Sequence, residues 1–132
     1  MLKKVVLDTN VFLSAIFYQG TPFEIIKLWK HGKFTLCLSP ELLAEILEKL
    51  QVKFGAPQEL YDLWKKLLQE KSEKFFPEKQ FNLFQDKNDN FLLDLIHASQ
   101  ADYLVSGDKQ ILKLKRFEAV AILNPKEFLK ML

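Results

Sequence analysis

The chain has one cysteine, one arginine, two histidines and no long apolar run in its 132 residues, and each shortage excludes something. A lone Cys37 cannot build a disulfide framework within one chain. Its setting, Phe34-Thr35-Leu36-Cys37-Leu38, predicts a buried core thiol in a reducing compartment. No apolar stretch approaches the roughly 20 residues that a membrane span requires, and the first residues lack a signal-peptide layout. A cytoplasmic chain with no membrane contact is therefore expected. Arg116 is the sole arginine and the net charge is only +2, so bulk charge does not demand a nucleic-acid partner. Any such contact has to come from a local patch.

What is present is core material. Hydrophobic residues make up 48% of the chain, with twelve Phe among them, enough for one core but not comfortably for two. A single domain over residues 1–132 is expected.

Strand and helix signals alternate. Val5-Val6-Leu7 is a short apolar run of the kind found in buried parallel strands, and it ends in Asp8-Thr9-Asn10. A helix follows over residues 11–17, with Thr9 or Asn10 placed to cap it. Gly20-Thr21-Pro22 reads as a turn and helix start with Thr21 as cap, the helix running from 23 to about 30. A second strand covers 34–38, and Ser39-Pro40-Glu41 opens a helix to about Lys53. Residues 58–74 read as one long amphipathic helix. A short strand over 81–84 is possible. Asn88 or Asp89 is placed to cap a helix from 90 to about 100. Strands at 102–106 and 118–123 follow, with a short helix through Leu114 between them. Asn124-Pro125-Lys126-Glu127 opens a terminal helix. The alternation predicts an α/β sandwich around a mostly parallel sheet.

Asp8 and Asp108 follow strands of matching character, Val5-Val6-Leu7 and Tyr103-Leu104-Val105. If those strands are parallel, both carboxylates emerge on one rim of the sheet, where open α/β sheets place ligands. The competing reading is that each merely caps its helix. Glu45 borders the apolar stripe formed by Leu42, Leu43, Ile46, Leu47 and Leu50, and can lean over that rim or stay solvated. Asp86-Lys87-Asn88-Asp89-Asn90 puts two carboxylates at one helix start, where the helix dipole accounts for one. Asp94 and His97 fall on the polar side of that helix and read as surface residues. Were Asp8, Glu45, Asp89 and Asp108 to converge, two carboxylates ~5 Å apart would repel by about 3 kcal/mol at an effective dielectric near 20. Such a cluster needs protons or a cation. All-oxygen ligands suit Mg²⁺ or Mn²⁺, whose chemistry on phosphodiesters is hydrolysis.

From Lys3 onward the chain resembles PIN-domain ribonucleases, most nearly the VapC-like toxins of toxin–antitoxin pairs. The residues that carry the likeness are 7–15 (LDTNVFLSA), 39–46 (SPELLAEI), 86–92 (DKNDNFL), 101–108 (ADYLVSGD) and 124–129 (NPKEFL). The resemblance implies a three-layer PIN sandwich with a divalent-metal site formed by Asp8, Glu45, Asp89 and Asp108. Asp86 is a neighbouring candidate for the third acid and Asp94 an outside one. Asn10 and Ser106 match supporting polar positions; many relatives carry Thr where Ser106 stands. It further implies cleavage of single-stranded RNA to leave a 5′-phosphate, a homodimer, and a small antitoxin covering the acidic groove. Lys87, Lys109 and the cluster Lys113-Leu114-Lys115-Arg116 are candidate phosphate contacts, as against simple solubilising charge.

Two other functions compete. One is a PIN-fold module that binds nucleic acid or a partner with little catalysis. The other is a phosphatase or phosphoacceptor domain using Asp8 as nucleophile. Haloacid-dehalogenase-like phosphatases want an Asp where Asn10 stands, and receiver domains want a Lys at a late strand end where Ser106-Gly107-Asp108 stands.

Overall fold

The computed structural model describes residues 2–132. Six strands form one sheet in the order β3-β2-β1-β4-β6-β5. β1 (Lys4–Leu7), β2 (Thr35–Leu38), β4 (Tyr103–Val105) and β6 (Val120–Leu123) are parallel and central. β3 (Glu73–Lys74) adds a parallel edge to β2, while β5 (Arg116–Phe117) pairs antiparallel with β6. Helices flank the sheet, as the strand–helix alternation predicts. α2 (Gly20–Lys30) packs on α7 (Pro125–Met131), and α3 (Pro40–Glu48) packs on both α1 (Thr9–Phe17) and α5 (Lys87–Ser99). The remaining helices are α4 (Gln58–Glu70) and α6 (Lys109–Leu112). No helix among the described residues is long and apolar enough to cross a membrane.

The central strands form because their residues are apolar on both faces: Val5, Val6, Leu7, Leu104 and Val105 are all fully buried. Aromatic contacts tie helices to this core. Trp29 of α2 stacks on Trp64 of α4 at 6.5 Å and meets Phe12 of α1 edge-on at 6.2 Å. The Trp29 indole N–H donates to the Lys71 carbonyl at 2.7 Å.

Several boundaries differ from those read in the sequence. α1 begins at Thr9, with Asp8 rather than Thr9 or Asn10 at its cap position. α2 begins at Gly20 behind Gln19, whose φ of 59° makes the turn, so Thr21 is not the cap. The helix from Ser39 ends α-helical at Glu48 and closes with a π turn, Lys49–Lys53. α4 stops at Glu70 because the chain must turn to pair Glu73–Lys74 with β2, after which the Phe75 N–H donates to the Leu38 carbonyl at 2.9 Å. Residues 81–84 are not a strand; their backbone donors go to side chains of α5 instead of a ladder. Asp86, not Asn88 or Asp89, caps α5.

Cys37 is buried in β2, as its apolar setting predicts, and burial pushes its thiol up to about 11. The thiolate is the reactive form, so a disulfide-exchange reagent at mildly alkaline pH should leave the folded protein unlabelled and react rapidly once urea unfolds it. Labelling of the native protein at the unfolded rate would contradict this burial.

Candidate active site

β1 leaves the sheet centre towards β2 on one side, and its other neighbour is β4. The crevice beyond the carboxyl ends of β1 and β4 is therefore a topological switch point, where α/β sheets bind ligands. Register aligns Leu7 with Val105, so the next residues, Asp8 and Ser106, stand side by side. The Asp8 N–H donates to the Val105 carbonyl at 2.9 Å, and the Ser106 hydroxyl donates to Asp8 Oδ2 at 2.8 Å. Both side chains are buried, Asp8 at 6% exposure and Ser106 at 0%.

Asp8 occupies the N-cap position of α1 yet makes no side-chain capping bond. Simple capping therefore does not explain this carboxylate. Burial pushes its pKa above the ordinary carboxyl range, the Ser106 hydrogen bond pulls it back, and the charges of Glu45 and Asp108 push it up again.

Glu45, on α3, does lean over the rim. The Thr9 hydroxyl donates to its Oε1, while its Oε2 is buried without a hydrogen-bond partner. Thr9 thus orients an acid, a role distinct from the cap that the sequence offered. An orphaned buried carboxylate oxygen is costly unless something completes it.

Asp108 both caps and contributes to the site. Its Oδ1 accepts from the Gln110 N–H at 2.8 Å, and its own N–H donates to the Ser106 hydroxyl at 3.0 Å. Asp86 caps α5 through the Asn88 N–H at 2.9 Å. Asp89 stands one turn on. Burial raises its pKa to about 7, reinforced by Asp86, Asp108, Asp8 and Glu45 in decreasing order. Asp86, Asp89 and Asp108 line one cavity of about 610 Å³ with Phe84, Gln85 and Gln110. Glu45 lines a second, of about 350 Å³, with Glu41, Glu48 and Asn88.

The acids thus come from β1, α3, α5 and the start of α6, near enough for each to act on Asp89. No three His, Cys, Asp or Glu side chains among the described residues are gathered tightly enough to hold a metal ion as they lie. The donor chemistry, all oxygen with one unpartnered, nevertheless fits a hard, partly hydrated divalent cation. Asn10 is exposed in the first turn of α1. Lys87, Lys109, Lys113, Lys115 and Arg116 are exposed.

Asp94 is a correction to the sequence reading. It is buried at 4% exposure, and its Oδ1 accepts from the Gln80 and Phe81 N–H groups at 3.0 Å each. It serves the 80–84 segment rather than the acidic rim. His97 is exposed, as expected, and pairs with Glu118 at 2.7 Å.

The raised Asp89 value carries a pH dependence. The folded state keeps this proton between pH 3.8 and about 7, where the unfolded chain has lost it. Stability therefore falls as pH rises through that window. In EDTA, the wild-type melting temperature should fall more steeply from pH 5 to 7.5 than that of Asp89→Asn, measured by calorimetry. Parallel curves would refute the shift.

Fold and site together define an α/β protein with an acidic groove at its sheet's switch point. The chain belongs to the PIN domain family, whose family model matches residues 4–110. It is 29% identical to an uncharacterized protein of Methanocaldococcus jannaschii, over 96% of this chain and 90% of that one. Two solved structures share the fold at 19% identity. The VapBC2 complex of Rickettsia felis, bound to a DNA fragment from its promoter, aligns with a TM-score of 0.64 over 92% of this chain and 98% of that one. The PIN domain endonuclease Utp24 aligns with a TM-score of 0.59 over 92% and 84%.

Proposed function

We propose that the chain is a divalent-metal-dependent endoribonuclease that cuts single-stranded RNA, acting as a single cytoplasmic domain and as the toxin of a toxin–antitoxin pair. The observation that carries this is the set of carboxylates from four elements at the switch point, with Glu45 Oε2 buried and unpartnered. Asp8, Asp89 and Asp108 are the residues that would hold Mg²⁺ or Mn²⁺, with Glu45 binding the ion or positioning water. The chemistry such a cation would supply there is activation of a water and neutralisation of charge for phosphodiester hydrolysis that leaves a 5′-phosphate. Ser106 fixes Asp8, Asp86 adds negative charge beside Asp89, and Asn10, exposed in the first turn of α1 two residues after Asp8, would be a supporting polar group. The exposed lysines around α5 and α6 supply phosphate contacts. The likeness to a VapBC complex supports a small antitoxin as partner, and exposed Leu63 on α4 offers apolar surface to that partner or to a second copy in a homodimer.

One observation favours a second reading, a PIN-fold module that binds nucleic acid or a partner with little catalysis: the carboxylates are not drawn into a closed ligand set. A pool of labelled single-stranded RNAs separates the two. Cuts that need Mn²⁺ or Mg²⁺, stop in EDTA and vanish in Asp8→Asn and Asp108→Asn are the expected result. No cleavage by folded protein across the pool transfers the case to the binding module.

A further inference from the structure

We propose that the cavity beside the acids is a base-recognition subsite, in which Phe84 stacks on one unpaired base of single-stranded RNA while the Gln85 and Gln110 amides hydrogen-bond its edge. This rests on the ribonuclease reading and says where the substrate's base goes. Half of the cavity wall is acid: Asp86, Asp89 and Asp108. The other half is Phe84, Gln85 and Gln110. An aromatic ring does not ligate a hard cation and two neutral amides bring it no charge, but together they are the groups that recognise a base. Every base has a π-face to stack, and a primary amide carries both donor and acceptor for its edge. A volume of about 610 Å³ is ample for a nucleotide.

The aromatic platform is built to stay in place. Asn90, 6% exposed, holds Phe84 by both backbone groups: the Phe84 N–H donates to Asn90 Oδ1 and the Asn90 amide donates to the Phe84 carbonyl, each at 2.8 Å. The same amide reaches Asn82 Oδ1 at 3.3 Å. Upstream, Asp94 holds Gln80 and Phe81, and the Phe81 ring is wedged edge-on between His97 at 5.3 Å and Phe117 at 4.9 Å. An irregular segment fixed at so many points presents Phe84 with little entropy left to lose on binding. The bond from the Gln110 N–H to Asp108 seats Gln110 directly beside an acid. Bases in a duplex are stacked and paired, so only an unpaired strand can offer one to this cavity.

Anisotropy of fluorescein-labelled oligo(A), oligo(C) and oligo(U), with Ca²⁺ replacing Mg²⁺, tests the subsite. Phe84→Leu should weaken single-stranded RNA binding about tenfold. Phe84→Trp should keep the affinity and give new indole emission that RNA quenches, Trp29 and Trp64 being buried. Gln85→Ala with Gln110→Ala should narrow the differences among the three oligonucleotides. Wild-type affinity in Phe84→Leu, or duplex RNA binding as tightly as single strands, overturns the proposal. Base-dependent binding without any cutting in Mn²⁺ would sink the ribonuclease reading and leave the subsite standing. Cutting whose affinity and cut pattern are unchanged in Phe84→Leu would do the reverse.

Discussion

Asp8→Asn is expected to lower RNA cleavage by about 10³-fold or more, and at the same time to raise the melting temperature of the metal-free protein. The two effects share one cause. Asp8 is desolvated and faces the charges of Glu45 and Asp108, so its ionised form is held against its environment. Asn keeps an oxygen for the Ser106 hydroxyl, now 2.8 Å from Asp8 Oδ2, and discards the charge. Each ~1 kcal/mol so gained is worth about 3 °C in a domain of this size. The sign follows from linkage. A carboxyl whose folded pKa lies above its ordinary 3.8 costs stability once pH exceeds the unfolded value. The variant's advantage should therefore vanish below pH 3.8, where Asp8 is protonated in both states, and grow as pH rises above it. Saturating Mn²⁺ should reverse the ranking, since a ligand at 100 times its Kd adds about 2.7 kcal/mol to the protein that binds it. Scanning calorimetry with Mn²⁺ and with EDTA, beside the cleavage assay, reads all of this. An Asp8→Asn protein that cuts RNA at the wild-type rate would end the metal-site proposal.

The sequence made the scaffold of this site legible for a physical reason. Buried parallel strands are apolar on both faces, so β1 and β4 appear as uninterrupted runs, and whatever ends such a run stands at the sheet's rim. That logic singled out Asp8 and Asp108 as candidates, the family resemblance added Ser106, and helical periodicity put Glu45 at the border of its stripe. The same periodicity failed for Asp94. It placed Asp94 on the polar side, away from Leu92, Leu95 and Ile96, yet Leu93, Asp94 and those three are all buried. One side of α5 faces the sheet and another is covered by the segment 80–84, whose irregular path has no period to read. Phe84, Gln85 and Asn90 were obscure for the same reason. β3 was hidden differently: two exposed residues, Glu73 and Lys74, pair only with β2, and the apolar spacing of α4 ran straight into them.

Asp94→Ala is expected to cost about 3 kcal/mol, the opposite sign from Asp8→Asn. Here the carboxylate has partners: its Oδ1 takes two backbone N–H groups, from Gln80 and Phe81, at 3.0 Å. Deleting it leaves both donors without that acceptor, at about 1–3 kcal/mol each when water cannot replace it. The melting temperature should fall by about 10 °C. Asp94→Asn retains an acceptor oxygen and should lose roughly a third as much. Because the lost bonds are local, trypsin should cut after Lys79 or Lys87 well below the melting temperature in the Ala variant and not in the wild type. Cleavage of RNA should suffer with it, since the freed segment carries Phe84 and Asp86 into the cavity wall. If Asp94→Ala melts like wild type and resists trypsin equally, the segment is held by Asn90 and the Phe81 wedge alone. If it melts early yet cuts RNA normally, the wall that Phe84 provides does not serve the reaction.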